Sequence, residues 1–175
     1  MESDVKITGK HLQITRVFDA PRPVVFAWWS NAKKLQQWSG CRDATKCEIE
    51  MDFRVGGSFT QKMHIAGAGD FTFTGKYEEI VVPERISYRA DMGKAVTRVI
   101  VEFFEEGGGT KVILTQDGFP DEASCQIVSH GTEESLDKLD SILARPGRIE
   151  GAVRMIAARS HMPVMGLLYG PSATH

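Results

Sequence analysis

An excess of charge of either sign is the first thing this sequence lacks: 21 basic and 23 acidic residues leave a formal balance of -2 over 175 positions. Recognition of nucleic acid or of an anionic membrane relies on a clustered basic excess, so neither is an expected partner, and small neutral or apolar partners are favoured. Cysteine is sparse. Cys41, Cys47 and Cys125 are odd in number, form no C-x-x-C pair, and follow an N-terminus without a basic-then-apolar signal segment, which together point to a reducing cytoplasm. The longest nearly uncharged apolar run, Met162 to Gly170, falls well short of the roughly 18 residues that span a bilayer, so no crossing segment is expected.

Signatures of chemistry are equally thin. Gly107-Gly108-Gly109 joins two strand patterns and lacks both a following Lys-Ser/Thr and a helix aimed at an anion, so it is not a phosphate loop. Ser/His/Asp catalysis needs a G-x-S-x-G turn or an equivalent, which is absent. A metal site built from Cys41, Cys47 and His64 fits no recurrent zinc spacing, and the cysteines carry no local nucleophile signature. Glu48, Glu50 and Asp52 share the polar side of an alternating strand, where water screens them, and read as a solvated face. No catalytic residue, metal or cofactor is assigned.

What the sequence does have is alternation. At this length one domain is expected, with about 70% of the unfolded surface available for burial. Met51 to Met63 organises it: Gly56-Gly57 permits a reversal between two strands, and on the second arm Phe59, Gln61 and Met63 share one face. Val5 to Asp19 reads as a strand broken near Gly9-Lys10. Pro21 and Pro23 suit a helix start, and apolar steps from Val25 to Trp38 give two short helices parted at Asn31-Ala32. Trp28 and Trp29, at successive helical positions, cannot both face the sheet. Further alternating segments at Cys47 to Phe53, Phe71 to Tyr77, Arg85 to Asp91, Thr97 to Phe104 and Thr110 to Gln116 have short connections and predict an antiparallel meander. Asp121 is the N-cap of a helix with the stripe Val128, Thr132, Leu136, Leu139 and Leu143, expected to end at Pro146-Gly147. Gly131 inside it marks an expected close approach to the sheet or to a ligand. The expected division is a domain over residues 1–145 and a partly helical or loosely ordered extension over 146–175.

Several short motifs recur in this order and spacing. They are Asp19-Ala20-Pro21, Val25-Phe26 with Trp29, Leu35 with Trp38, Asp52 to Phe59 with Met63, Gly75 to Ile80, Pro83-Glu84-Arg85, Gly108-Gly109-Thr110, and Gly131 with Leu136 and Leu139. With them the chain resembles the START-like, or SRPBCC, superfamily over about residues 12 to 144, and within it the bacterial branch related to the C-terminal domain of the heat-shock-protein-90 ATPase activator. The resemblance implies an α+β helix-grip fold: a curved antiparallel sheet with two short helices and a long C-terminal helix enclosing an apolar cavity. It departs at Thr132, where an aromatic commonly follows the helix glycine.

On the inward phase of this pattern, the candidate ligand-binding residues are Trp38; Phe59, Gln61 and Met63; Phe71, Phe73 and Tyr77; Tyr88; Val99 and Val101; Leu114 and Gln116; and Val128 and Thr132 from the helix. Gln61, Tyr77, Tyr88 and Gln116 would orient a guest held by apolar walls. The expected function is binding of a small apolar or aromatic molecule. The resemblance also implies two alternatives, a chaperone-regulating module and a polyketide cyclase-like enzyme using Tyr77, Tyr88 or His130.

Overall fold

The computed structural model describes the backbone of residues 2–160 and the side chains of residues 2–144. The elements run β1 (Asp4–Thr8), β2 (His11–Phe18), α1 (Arg22–Ser30), α2 (Ala32–Trp38), β3 (Ala44–Met51), β4 (Ser58–Ile65), β5 (Gly69–Val81), β6 (Arg85–Asp91), β7 (Val96–Glu106), β8 (Gly109–Asp117) and α3 (Glu122–Ser160). The strands form a single antiparallel sheet in the order β1-β2-β8-β7-β6-β5-β4-β3, with α1 and α2 carrying the chain from β2 to the far edge. The fold is α+β and helix-grip, as the motif order implies.

Local chemistry explains the element ends. Pro23 in the first turn of α1 carries no N–H where a helix would leave one unpaired. Asn31 caps α2 by accepting from the Lys34 N–H at 3.1 Å, and Asp121 caps α3 by accepting from the Ser124 N–H at 2.7 Å. In β5 the pairing with β6 slips between Tyr77 and Glu79, a bulge that adds curvature beside an inward tyrosine.

The concave face is covered unevenly. α1 packs on β7 and β8, where Phe18, Val25, Val101 and Phe103 are fully enclosed and the Phe103 ring stands 5.1 Å from Phe26 and 5.2 Å from Trp29. α3 packs on β1, β2 and α2, anchored by the buried Arg16, whose Nη2 lies 2.6 Å from Asp137 Oδ1. Among the described residues no helix packs to a comparable extent on β4, β5 or β6. Their inner surface is left as the floor of a hollow.

Three local expectations change. The break near Gly9-Lys10 is a tight hairpin that folds β1 back on β2, with Thr8 opposite His11. The reversal after β3 is a six-residue loop, 52–57, rather than a two-residue turn: the Gly56 N–H donates to the Tyr77 carbonyl at 2.8 Å and the Gly57 carbonyl accepts from the Tyr77 N–H at 2.9 Å, so the loop is held by β5. Third, α3 does not end at Pro146-Gly147 but runs to Ser160, because a proline removes one helical hydrogen bond and the turns beyond it can still form. The last part of the expected extension, residues 161–175, lies outside the described residues, and with it the apolar run Met162 to Gly170. Among the described residues no helix is long and apolar enough to cross a membrane.

Candidate functional site

Strand register builds the floor of the hollow. Tyr77 faces Tyr88, Tyr88 faces Val99, and Val99 faces Gln116, so one row of inward side chains crosses β5 to β8. On β4 and β5 a second set pairs Gln61 with Phe73 and Met63 with Phe71. Phe59 lies opposite Gly75, where a Cβ would come within 2.2 Å of the Phe59 ring, so the missing side chain lets that ring lie across the strand. Its centroid is 5.4 Å from Tyr77 and 5.3 Å from Tyr88, and the two tyrosine rings are 6.0 Å apart. Tilted and edge-on contacts at these separations are attractive.

The roof comes from α2, the following loop and α3. Trp38 closes one end, its Nε1–H donating to the Trp28 carbonyl at 3.0 Å. Trp29 is buried, whereas the Trp28 ring stays half-buried, with the Lys34 ammonium 4.9 Å from its centre. Residues 39–42 form a strap tied to α3. Lys138 Nζ donates to the Ser39 carbonyl at 3.1 Å, Ser135 Oγ lies 2.9 Å from the Gly40 carbonyl, and the Glu134 carboxylate accepts from the Arg42 N–H. Burial lowers the pKa of Lys138, with the neighbouring Cys47 opposing the shift.

Between floor and roof lies a cavity of about 480 Å³, within the size range of small-molecule sites. It opens to solvent past Ile127, 73% exposed, and Phe71, 41% exposed. None of its lining residues is charged. The Gln116 amide donates to Thr97 Oγ1 at 2.9 Å, and the Gln61 amide to Cys47 Sγ at 3.6 Å. Neither the Tyr77 nor the Tyr88 hydroxyl has a hydrogen-bond partner among the described residues, although Tyr77 is only 5% exposed. Burial, and then the neighbouring Tyr88, pushes the Tyr77 phenol well above its ordinary range; burial pushes Tyr88 up to about 12. Both are neutral donors at any physiological pH.

Of the candidate side chains, all line this cavity except Val101, which lies on the same face of β7 but one inward position nearer Phe103, sealed under α1. Strand period gives the face of a residue, not what covers it. Ile86 and Ala90 also line the wall and share the inward phase of Tyr88. Cys41, Ser135 and Ile127 were missed: a loop has no period, and Ile127 adjoins the stripe rather than lying in it. A Cβ on Gly131 would meet only Cys41 Cβ at 3.9 Å, so the expected close approach to the sheet is not made. His130 is outside the cavity, its Nε2 2.9 Å from Glu134 Oε1, and is not brought together with the tyrosines. Among the described residues no group of His, Cys, Asp or Glu could hold a metal ion.

Comparison with known proteins adds the lineage. Residues 19–144 match the family model described as Activator of Hsp90 ATPase homolog 1-like protein. The chain belongs to that family. No curated protein matches it. Among solved structures of similar shape, the family member's fold is shared with protein CV1439 from Chromobacterium violaceum, at 24% identity and a TM-score of 0.72 over 77% of this chain and 96% of that one. A protein from Rhizobium leguminosarum is 27% identical with a TM-score of 0.68, covering 83% and 99% of the two chains. Mll3558 from Rhizobium loti is 26% identical with a TM-score of 0.64, covering 79% and 98%.

Proposed function

We propose that the protein is a cytoplasmic binder of a small apolar or aromatic molecule, held in the cavity between sheet and α3. The observation that carries this reading is an open hollow of about 480 Å³ with an uncharged wall and two phenols that have no partner in the described protein. Both hydroxyls face the open hollow rather than closed protein, so water or a guest can supply the acceptor that the described residues do not. Apolar burial, at about 25 cal/mol per Å², supplies most of the affinity in this reading. No cofactor, metal or catalytic residue takes part, and two phenols held protonated are poor general bases. Residues 1–145 act as the binding domain and 146–175 as an appendage; resistance of residues 145–159 to limited proteolysis would instead join the appendage to the domain.

Titration with Nile red, a neutral dye that brightens in apolar surroundings, is expected to give saturable blue-shifted emission. Thr132→Trp, which puts an indole into the wall, is expected to abolish it. Unchanged dye emission, together with an unchanged melting temperature across a panel of apolar metabolites, rejects the reading. The family's description supports a second reading, regulation of a heat-shock-protein-90 chaperone. Stimulation of the chaperone's ATPase by the purified protein would favour it, and failure to form a complex in a pull-down would remove it.

A further inference from the structure

We infer that the guest of this cavity is electrically neutral and carries a hydrogen-bond acceptor, such as a ketone, ester or ether oxygen, read by Tyr77 and Tyr88, and that carboxylates of the same shape are excluded. The inference rests on the binding reading above and narrows it to a chemical class.

Three observations point this way. First, the wall has no ion to offer: none of the lining residues is charged, and the ionic groups packed behind the strap have partners elsewhere. Lys138 donates to the Ser39 carbonyl, while Glu134 is held by the Arg42 N–H and by His130. The positive end of α3, one turn before Ile127, is capped by the Asp121 carboxylate. A buried anion would therefore lose its hydration and find no counter-charge in the wall itself, the nearby Lys138 ammonium being turned to the Ser39 carbonyl and set beside Glu134.

Second, the aromatic floor offers two unpartnered donors. Tyr77 and Tyr88 are cross-strand neighbours on one face, and neither hydroxyl has a partner among the described residues. Their raised pKa values keep the protons on. Third, three of the other polar wall side chains have donors that are already engaged: Gln116 to Thr97 Oγ1, Gln61 to Cys47 Sγ, and Ser135 at the carbonyls of the strap and its own helix. The phenols, paired across β5 and β6, are thus the free donors of the aromatic floor, and a neutral acceptor satisfies them without bringing in charge.

The test uses three probes on one skeleton: 2-acetylnaphthalene, 2-naphthoate and the acceptor-free 2-isopropenylnaphthalene, titrated at pH 7 against Trp fluorescence and by calorimetry. The ketone is expected to bind at least about 100-fold more tightly than the carboxylate. Tyr77→Phe and Tyr88→Phe, whose melting temperatures check that they fold, are expected to weaken the ketone by about 3- to 30-fold and to leave the isopropenyl compound unchanged. If the naphthoate binds as well as the ketone, or if the Phe variants weaken ketone and hydrocarbon alike, the inference is overturned while the binding reading stands. If none of the three probes binds, the binding reading fails and takes the inference with it.

Discussion

Two halves of one concave sheet face are built differently. Where α1 covers one end of β7 and β8, Phe18, Phe26, Val101 and Phe103 are enclosed; over β4 to β6, where no helix among the described residues packs down to a comparable extent, Phe59, Tyr77 and Tyr88 pack against one another but have open space above. The strands, their twofold period and their residue types are alike in both. The difference lies in the roof: α1 is pressed onto its strands, while α3 is held over β1, β2 and α2 by the Arg16–Asp137 pair and by the strap at residues 39–42. An apolar inward face is thus not by itself a core. It becomes one only where another element comes down on it.

The sharpest way to break this contrast is to add an atom to the hollow half where its floor is already full. A Cβ on Gly75 would stand 2.2 Å from the Phe59 ring and 2.4 Å from the Arg89 carbonyl oxygen. Gly75→Ala is therefore expected to cost about 3 kcal/mol in urea unfolding, because one of the two obstacles is backbone and cannot rotate away. A cost under about 1 kcal/mol would show that the Phe59 ring is free to leave its place.

The matched pair Val101 and Val99 measures the contrast directly. They sit two residues apart on the same face of β7, one sealed under α1 and one facing the cavity. Val101→Ala is expected to cost about 2 kcal/mol, combining lost transfer energy with a new void. For Val99→Ala about 1 kcal/mol is expected, because one side of that valine already lacks neighbours to lose. Equal losses would mean that the hollow is filled by protein in solution.

Alkaline pH probes the hollow half through Tyr88. Tyr88 titrates near 10 in the unfolded chain and is pushed up to about 12 by burial in the fold. Between those values the unfolded chain has released a proton that the native protein retains. Stability is therefore complete below about pH 10 and declines as the pH rises toward 12. Tyr88→Phe is expected to flatten that decline in chemical denaturation curves.

The smallest effect is expected at Gly131. An alanine methyl there would meet only Cys41 Cβ, at 3.9 Å, an ordinary contact distance, so alanine fits. Gly131→Ala is expected to stabilise the protein by up to about 1 kcal/mol through helix propensity, seen as a raised melting temperature. A loss of stability would place some part of the molecule closer to that backbone than the geometry has it.

Much of this was legible from period alone. Strict alternation put Phe59, Gln61 and Met63 inward on β4 and Tyr88 with Ile86 inward on β6, because a one-residue slip would have turned an apolar set to water. The same rule gave Val99 and Val101 equal standing, since coverage by α1 is a tertiary fact that no local pattern carries. Ser39, Gly40 and Cys41 became wall residues through bonds to Ser135 and Lys138, about a hundred positions away in sequence. The loop 52–57 likewise takes its shape from Tyr77 on another strand, which a reading of Gly56-Gly57 in isolation turned into a tight hairpin. The Pro146-Gly147 stop failed for a different reason, as a breaker raises the cost of continuing a helix without forbidding it.

The strap at residues 39–42 also bears on timing. With two of its carbonyls and one N–H engaged by α3, it cannot swing aside without breaking several bonds together, so that side of the chamber behaves as a hinge post rather than a door. If the proposed guest binds, traffic would be left to the rim between Ile127 and Phe71, and its residence time would become a property of those two exposed side chains more than of the walls around it.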